Sequence, residues 1–204
     1  MDESLIINAV LGDLAQVAAS LPNERLPKEE QIRCCIYAAI RPLFKVVCAE
    51  RGYGSIDDRS RTECDLWASS PGQTPVWLEF KRCWSAAGWN NKPPEQLAYW
   101  EADLDKLRMV PVESVRYFIL VGFFDFDPLS VPDSTKSGVV RNIRVFHATQ
   151  LIHRDSREFK WREGDGISWV GAWVWRWGSG VPVAETNALS EDRRDDGLLG
   201  SCLS

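Results

Sequence analysis

The sequence predicts an α/β domain with a mixed central β-sheet flanked by helices, and three observations carry that reading. Two stretches near the start of the chain repeat apolar residues with helical period. Two short β-rich runs then flank a cluster of turn residues within 61–84. Beyond a further helical pattern at 94–109, a nearly continuous apolar run (116–126) and an alternating one (167–177) supply more strands. In chain order the pattern is α-α-β-β-α-β-(β)-β.

Residues 2–21 carry Leu5, Ile6, Ala9, Val10, Leu14, Val17, Ala18 and Leu21, the spacing of an amphipathic helix that covers the sheet; a helix that binds a partner is the alternative. Pro22 and Pro27 bound a connector, so 1–26 reads as an appended helix and linker. A second helix starts at Pro27 or Lys28, where proline is tolerated and Glu29 and Glu30 suit the positive helix end. Its stripe is Ile32, Cys35, Ile36, Ala39, Ile40, Leu43 and Val47, with Pro42 bending it. On a helical projection Glu29 lines up with Ile32, Ile36, Leu43 and Val47, whereas Glu30 lies nearer Arg33 and Tyr37. Residues 52–61 form a polar connection with room for a short strand; Asp57 and Asp58 there read as a solvated turn.

The runs 62–67 and 76–82 flank Ser69, Ser70, Pro71, Gly72, Gln73, Thr74 and Pro75, and read as a β-hairpin. A turn centred near Gly72 sets Asp65 opposite Glu79, Trp67 opposite Trp77 and Glu63 opposite Lys81. Side chains alternate along a strand, so these acids and the lysine share one face. A carboxylate facing Glu-x-Lys suits magnesium-dependent hydrolysis of phosphodiesters. Mg²⁺ takes one or two carboxylates, with water and substrate phosphate completing an octahedron at about 2.1 Å. Lys81 would orient or deprotonate the attacking water and offset charge on phosphorus. The competing reading is a cross-strand salt bridge between Lys81 and Glu63 on a solvated face.

Asp65, then thirteen residues, then Glu79-Phe80-Lys81 at the end of an apolar strand resembles the PD-(D/E)xK nuclease superfamily. Cys64 stands where that pattern has proline, the least chemical part of it. The resemblance implies a restriction-endonuclease-like core, a bound Mg²⁺ for which Mn²⁺ can substitute, and DNA rather than RNA as substrate. It also implies a helix glutamate at the metal, followed by apolar residues three and seven positions on; Glu29 fits, and Glu30 is the fallback. Asp65 and Glu79 are then metal ligands and Lys81 a catalytic residue. In the helix at 94–109, with its stripe of Leu97, Trp100, Leu104 and Leu107, Gln96 with Tyr99 or Trp100 is similar to a glutamine-aromatic signature of exonuclease-like branches. A surface glutamine is the plainer account.

Arg82 follows Lys81 directly, and the small, polar loop 85–94 sits beside the expected site, where Trp89 and Lys92 would stack on a base and meet a phosphate. The run 116–126 is expected beside the hairpin as a central strand, 127–138 as a polar loop, and 139–146 as a further alternating segment. Residues 141–162 hold Arg141, Arg144, Arg154, Arg157, Lys160 and Arg162 against Asp155 and Glu158. That segment carries +4 in a chain of net charge −5, leaving −9 elsewhere. Concentrated positive charge of this kind draws a phosphate backbone, so Arg154 and Arg157 are candidate nucleic-acid contacts; a solvated face paired with acids is the alternative. His147 and His153 read as surface or core residues. The run 167–177 sets Trp169, Gly171, Trp173, Trp175 and Trp177 on one face, which packs against a helix or a second subunit, making a homodimer one expectation; a base-stacking platform is the other account.

With 204 residues, 45% hydrophobic, the chain can bury one sizeable core, and we expect a single domain over 1–184 with a disordered polar tail at 185–204. The mild negative charge excludes a general DNA-coating protein. No apolar run suits a membrane span and no leader pattern opens the chain, so a cytoplasmic protein is expected. The cysteines at 34, 35, 48, 64, 83 and 202 form no zinc or C-x-x-C spacing and are expected to be reduced, buried small hydrophobes. Metal-dependent hydrolysis of nucleic acid is the function expected. A non-catalytic domain of the same fold, binding protein or nucleic acid, is the alternative, although such a relative usually lacks an acid or the lysine.

Overall fold

The computed structural model describes residues 2–20, 27–53, 63–85, 93–130, 138–158 and 168–177. Its centre is a six-stranded mixed sheet in the order β1-β2-β3-β4-β6-β5. The strands are β1 (Val46–Gly52), β2 (Glu63–Ser69), β3 (Val76–Ser85), β4 (Val115–Phe124), β5 (Leu151–Glu158) and β6 (Trp169–Trp177). β1, β2 and β3 run as an antiparallel meander. β3 and β4 are parallel, joined through helix α3 (Pro93–Arg108), while β6 runs antiparallel to both β4 and β5.

Helices α1 (Glu3–Ser20) and α2 (Glu29–Ile40) cover one face, where Ile6, Leu11, Ile32 and Ile36 meet Leu78, Phe80, Ile119 and Val174. On α1 the buried side includes Ile7 and Leu11, whereas Leu5, expected inside, is 44% exposed. The other face is aromatic. There α3 and α4 (Gly138–Val145) bring Trp100, Leu104, Val140 and Ile143 against Trp77, Phe118, Trp173 and Trp175. The tryptophan row thus packs inside the protein: Trp175 is fully buried and its indole N–H donates to the Phe146 carbonyl at 2.8 Å. Side-chain stacking room comes from Gly122 paired with Gly171, since a Cβ at Gly122 would stand 2.5 Å from the Phe124 ring.

Two expectations are corrected. The second helix stops at Ile40, a short 3-10 turn carries Pro42, and Val46–Gly52 is strand β1 rather than helix. Proline breaks the helical ladder, and the β-branched pair Val46 and Val47 then favours an extended chain. Most of the connection at 52–61, with the short strand for which it has room, lies outside the described residues. Residues 139–146 are not a strand: Gly138–Val145 is helix α4, and burial at Val139, Val140, Ile143 and Phe146 follows helical spacing. Its β-branched residues favour a strand locally, but packing against the aromatic face decides. Strand β5 lies in the basic segment read only for its charge, and its half-exposed edge position leaves no apolar alternation.

Among the described cysteines, Cys35, Cys64 and Cys83 are buried and free, whereas Cys34 and Cys48 are free and exposed. Cys202, with the whole expected tail, lies outside the described residues. No described helix is long and apolar enough to cross a membrane.

Candidate active site

The hairpin has the expected register, with Trp67 opposite Trp77 and Leu66 opposite Leu78. Gly72 turns the chain at φ 74°, and the Gln73 N–H closes onto the Ser70 carbonyl at 3.1 Å. After Leu66 and Leu78 the two strands part: β2 stays with β1 and β3 stays with β4 out to Ser85. Asp65 sits in this fork. Its Oδ2 accepts the Phe80 N–H at 2.9 Å, a ladder bond that β2 no longer supplies.

Two kinds of neighbour meet Asp65. Arg33 of α2 stands 3.6 Å from Oδ1 and pairs more closely with Glu50, at 2.5 Å, where β1 takes a positive φ of 54°. Across the fork, Glu79 shares a side-chain hydrogen bond with Asp65 and accepts another from the Tyr53 hydroxyl. Glu79 is 1% exposed. Burial first, then the charge of Asp65, pushes its carboxyl up to about 9, while the Tyr53 bond pulls the other way. The pair therefore holds a proton on Glu79 at neutral pH. Burial likewise pushes the Tyr53 hydroxyl far above its ordinary range.

Lys81 lies two residues beyond Glu79, on the face covered by α3. Its ammonium pairs with Asp103 of α3 at 3.0 Å, and Asp103 takes a second ammonium, from Lys106, at 2.6 Å. Glu63, the partner in the salt-bridge reading, is exposed. Burial pulls the Lys81 ammonium down, but Asp103, then Glu29 and Asp65, outweigh it and the group stays charged.

Glu29 and Glu30 separate clearly. The Gln31 side chain accepts the Lys28 N–H at 2.7 Å, fixing the first turn of α2, and Glu29 then accepts the Arg82 N–H at 3.3 Å. Glu30 is exposed. The Arg82 guanidinium is turned to the Pro27 carbonyl at 2.8 Å. Gln96 is buried in the first turns of α3 with neither amide atom hydrogen-bonded. Lys92 and Trp89 lie outside the described residues.

The basic segment is spread out. Arg141 and Arg144 lie on α4, Arg154 and Arg157 on β5, and Lys160 and Arg162 lie outside the described residues. β5 is three strand spacings from β3, roughly 14 Å. Arg154 is exposed, whereas Arg157 reaches α1, where it donates to Asn8 at 2.5 Å.

Sequence reasoning missed Asp103, Arg33 and Tyr53. Asp103 had a signal: it occupies the stripe of Trp100, Leu104 and Leu107, an acid where the helix turns its apolar side inward. Tyr53 and Arg33 had none, because only the β1–β2 pairing brings Tyr53 to the fork and only the packing of α2 on the sheet brings Arg33 there.

Among the described residues, no three His, Cys, Asp or Glu side chains gather closely enough to hold a metal ion. The two that meet are Asp65 and Glu79. Two hard-oxygen donors suffice for Mg²⁺, which keeps water and substrate oxygens as its remaining ligands. The donor chemistry fits, provided Glu79 gives up its proton. No protein-family model, curated protein or solved structure matches the chain.

Proposed function

We propose that this protein is a cytoplasmic, metal-dependent nuclease that hydrolyses phosphodiester bonds of DNA, built on a PD-(D/E)xK, restriction-endonuclease-like core. The observation that carries the reading is the meeting of Asp65 and Glu79 in the fork between β2 and β3, with Lys81 on the α3-covered face beside them. The sheet is consistent with it: the second strand of the hairpin, β3, pairs in parallel with β4 after the crossover helix α3, as expected of the run 116–126 beside the hairpin.

Asp65 and Glu79 would hold the Mg²⁺, which supplies Lewis-acid polarisation of a phosphoryl oxygen and an acidified water. Glu79 releases its proton for this and Asp65 keeps its place through the Phe80 N–H and Arg33. Lys81, held charged, stabilises the negative charge that grows on the phosphoryl oxygens. Glu29 shapes the edge of the site through the β3 backbone and adds to the field on Lys81. Arg154, on the far edge of the sheet, adds to the positive potential that draws a polyanion.

A second reading, a non-catalytic domain of the same fold that binds nucleic acid or protein, draws on the burial of Glu79 beneath Tyr53. One assay separates the two: wild type and Lys81→Ala on supercoiled, linear and single-stranded DNA and on RNA, with Mg²⁺, Mn²⁺ or EDTA. Metal-dependent cleavage lost in Lys81→Ala supports the enzyme. Binding without cleavage under every metal would assign the second role.

A further inference from the structure

Asp103 is 4% exposed on the inward stripe of α3, where Trp100, Leu104 and Leu107 are apolar. Packing alone calls for another hydrophobe there, because a buried carboxylate is costly unless its charge is met. Its two oxygens are divided between two ammonium groups: Oδ1 takes Lys106 at 2.6 Å, and Oδ2 takes Lys81 at 3.0 Å. Lys106, one turn further along α3, thereby fixes how the carboxylate is rotated. Lys81 is thereby tied to α3, within reach of the charges of Glu29 and Asp65.

We propose that Asp103 is the positioning residue for Lys81, with Lys106 as its brace, so that α3 sets where the catalytic ammonium stands over the reacting phosphate. The proposal rests on the nuclease reading and extends it to residues outside the Asp65, Glu79 and Lys81 set. A lysine has a long, flexible stem, and a preorganised charge is effective only when its position is fixed before the reaction. The buried carboxylate supplies that restraint. Asp103 touches neither substrate nor metal in this arrangement; it acts through Lys81.

The test compares wild type, Asp103→Asn and Lys106→Met in single-turnover DNA cleavage with Mg²⁺, in Mg²⁺ affinity, and by NMR of the lysine Cε and Nζ signals. Lys81→Ala identifies the Lys81 resonance. Asp103→Asn is expected to slow cleavage about 10- to 100-fold, the scale of a misplaced catalytic group. Mg²⁺ affinity stays within about twofold of wild type, and the Lys81 signal moves to the position of an exposed lysine. Lys106→Met gives a smaller loss with the same sense of signal change, and it carries the test alone should Asp103→Asn not fold. Full-rate cleavage by the variants, an unmoved Lys81 signal, or a rate loss matched by lost Mg²⁺ affinity would each overturn the proposal. Absence of metal-dependent cleavage by wild type is a separate result that strikes the nuclease reading, while the NMR signal still reports whether Asp103 holds Lys81.

Discussion

Asp65 accepts the backbone N–H of Phe80 at 2.9 Å, so a side chain of β2 takes over the pairing that its own backbone gives up where the strands part. That substitution keeps the fork open and leaves the second Asp65 oxygen facing Arg33. Replacing Asp65 by Asn keeps the shape but weakens both contacts. Asp65→Asn is expected to lose Mg²⁺ binding in a calorimetric titration and to remain folded; retained Mg²⁺ affinity would remove Asp65 from the ligand set.

The proton on Glu79 predicts how stability varies with pH. Its carboxyl is raised from 4.5 to about 9 in the folded protein. Below about 4.5 both states are protonated and the stabilisation is fully present. As pH rises towards 9 the unfolded chain has released a proton that the folded chain keeps, so stability falls across that window. The melting temperature of the metal-free protein should therefore decline from pH 5 to pH 9, and Glu79→Gln should flatten the decline. Mg²⁺ binding displaces the same proton, so the stabilisation by added Mg²⁺ should grow with pH. A Glu79→Gln profile parallel to wild type would place the titrating group elsewhere.

The hairpin was legible because its information is local: turn residues around Gly72 and two β-rich runs set the register of Trp67 against Trp77. The buried strand β4 was legible from its composition alone. What escaped depends on tertiary context. β1 was hidden behind Pro42, whose helix-breaking effect was read as a bend, and α4 was hidden by valines and an isoleucine that favour strands locally. Tyr53 reaches the fork only because β1 pairs with β2, and Arg33 only because α2 packs over the sheet there. Asp103 was readable in principle, since an acid within an apolar helix stripe signals a buried partner.

The arginines of β5 separate electrostatic steering from structure. Each lost phosphate contact removes about one counterion-release term from the salt dependence of binding. Arg154→Ala, at an exposed position, should weaken DNA binding and lower the salt slope without changing the melting temperature. Arg157→Ala should also cost a little stability, because Arg157 donates to Asn8 on α1. An unchanged slope in the double variant would assign both to structure.

The paired glycines of β4 and β6 test the aromatic face. A Cβ at Gly122 would lie 2.5 Å from the Phe124 ring and 2.9 Å from Cys83 Sγ. Gly122→Ala should destabilise the protein by about 1–3 kcal/mol, the usual cost of overpacking a core. Chemical denaturation measures this, and a neutral substitution would show that the rings can move aside.

Lys81→Ala is the variant that separates chemistry from architecture. Lys81 contributes no oxygen to a metal, so both carboxylates of the fork remain, and Mg²⁺ affinity should hold. Cleavage should fall by about 10²–10³, the typical cost of losing one preorganised electrostatic group. Asp103 keeps Lys106 as a partner at 2.6 Å, so its buried charge is not left alone and the fold should survive. A purely structural ion pair would show the opposite balance, with lowered melting temperature and unaltered cleavage. Measuring rate and melting temperature on the same preparation therefore decides between them: full activity with reduced stability would remove Lys81 from the chemistry and take the nuclease reading with it.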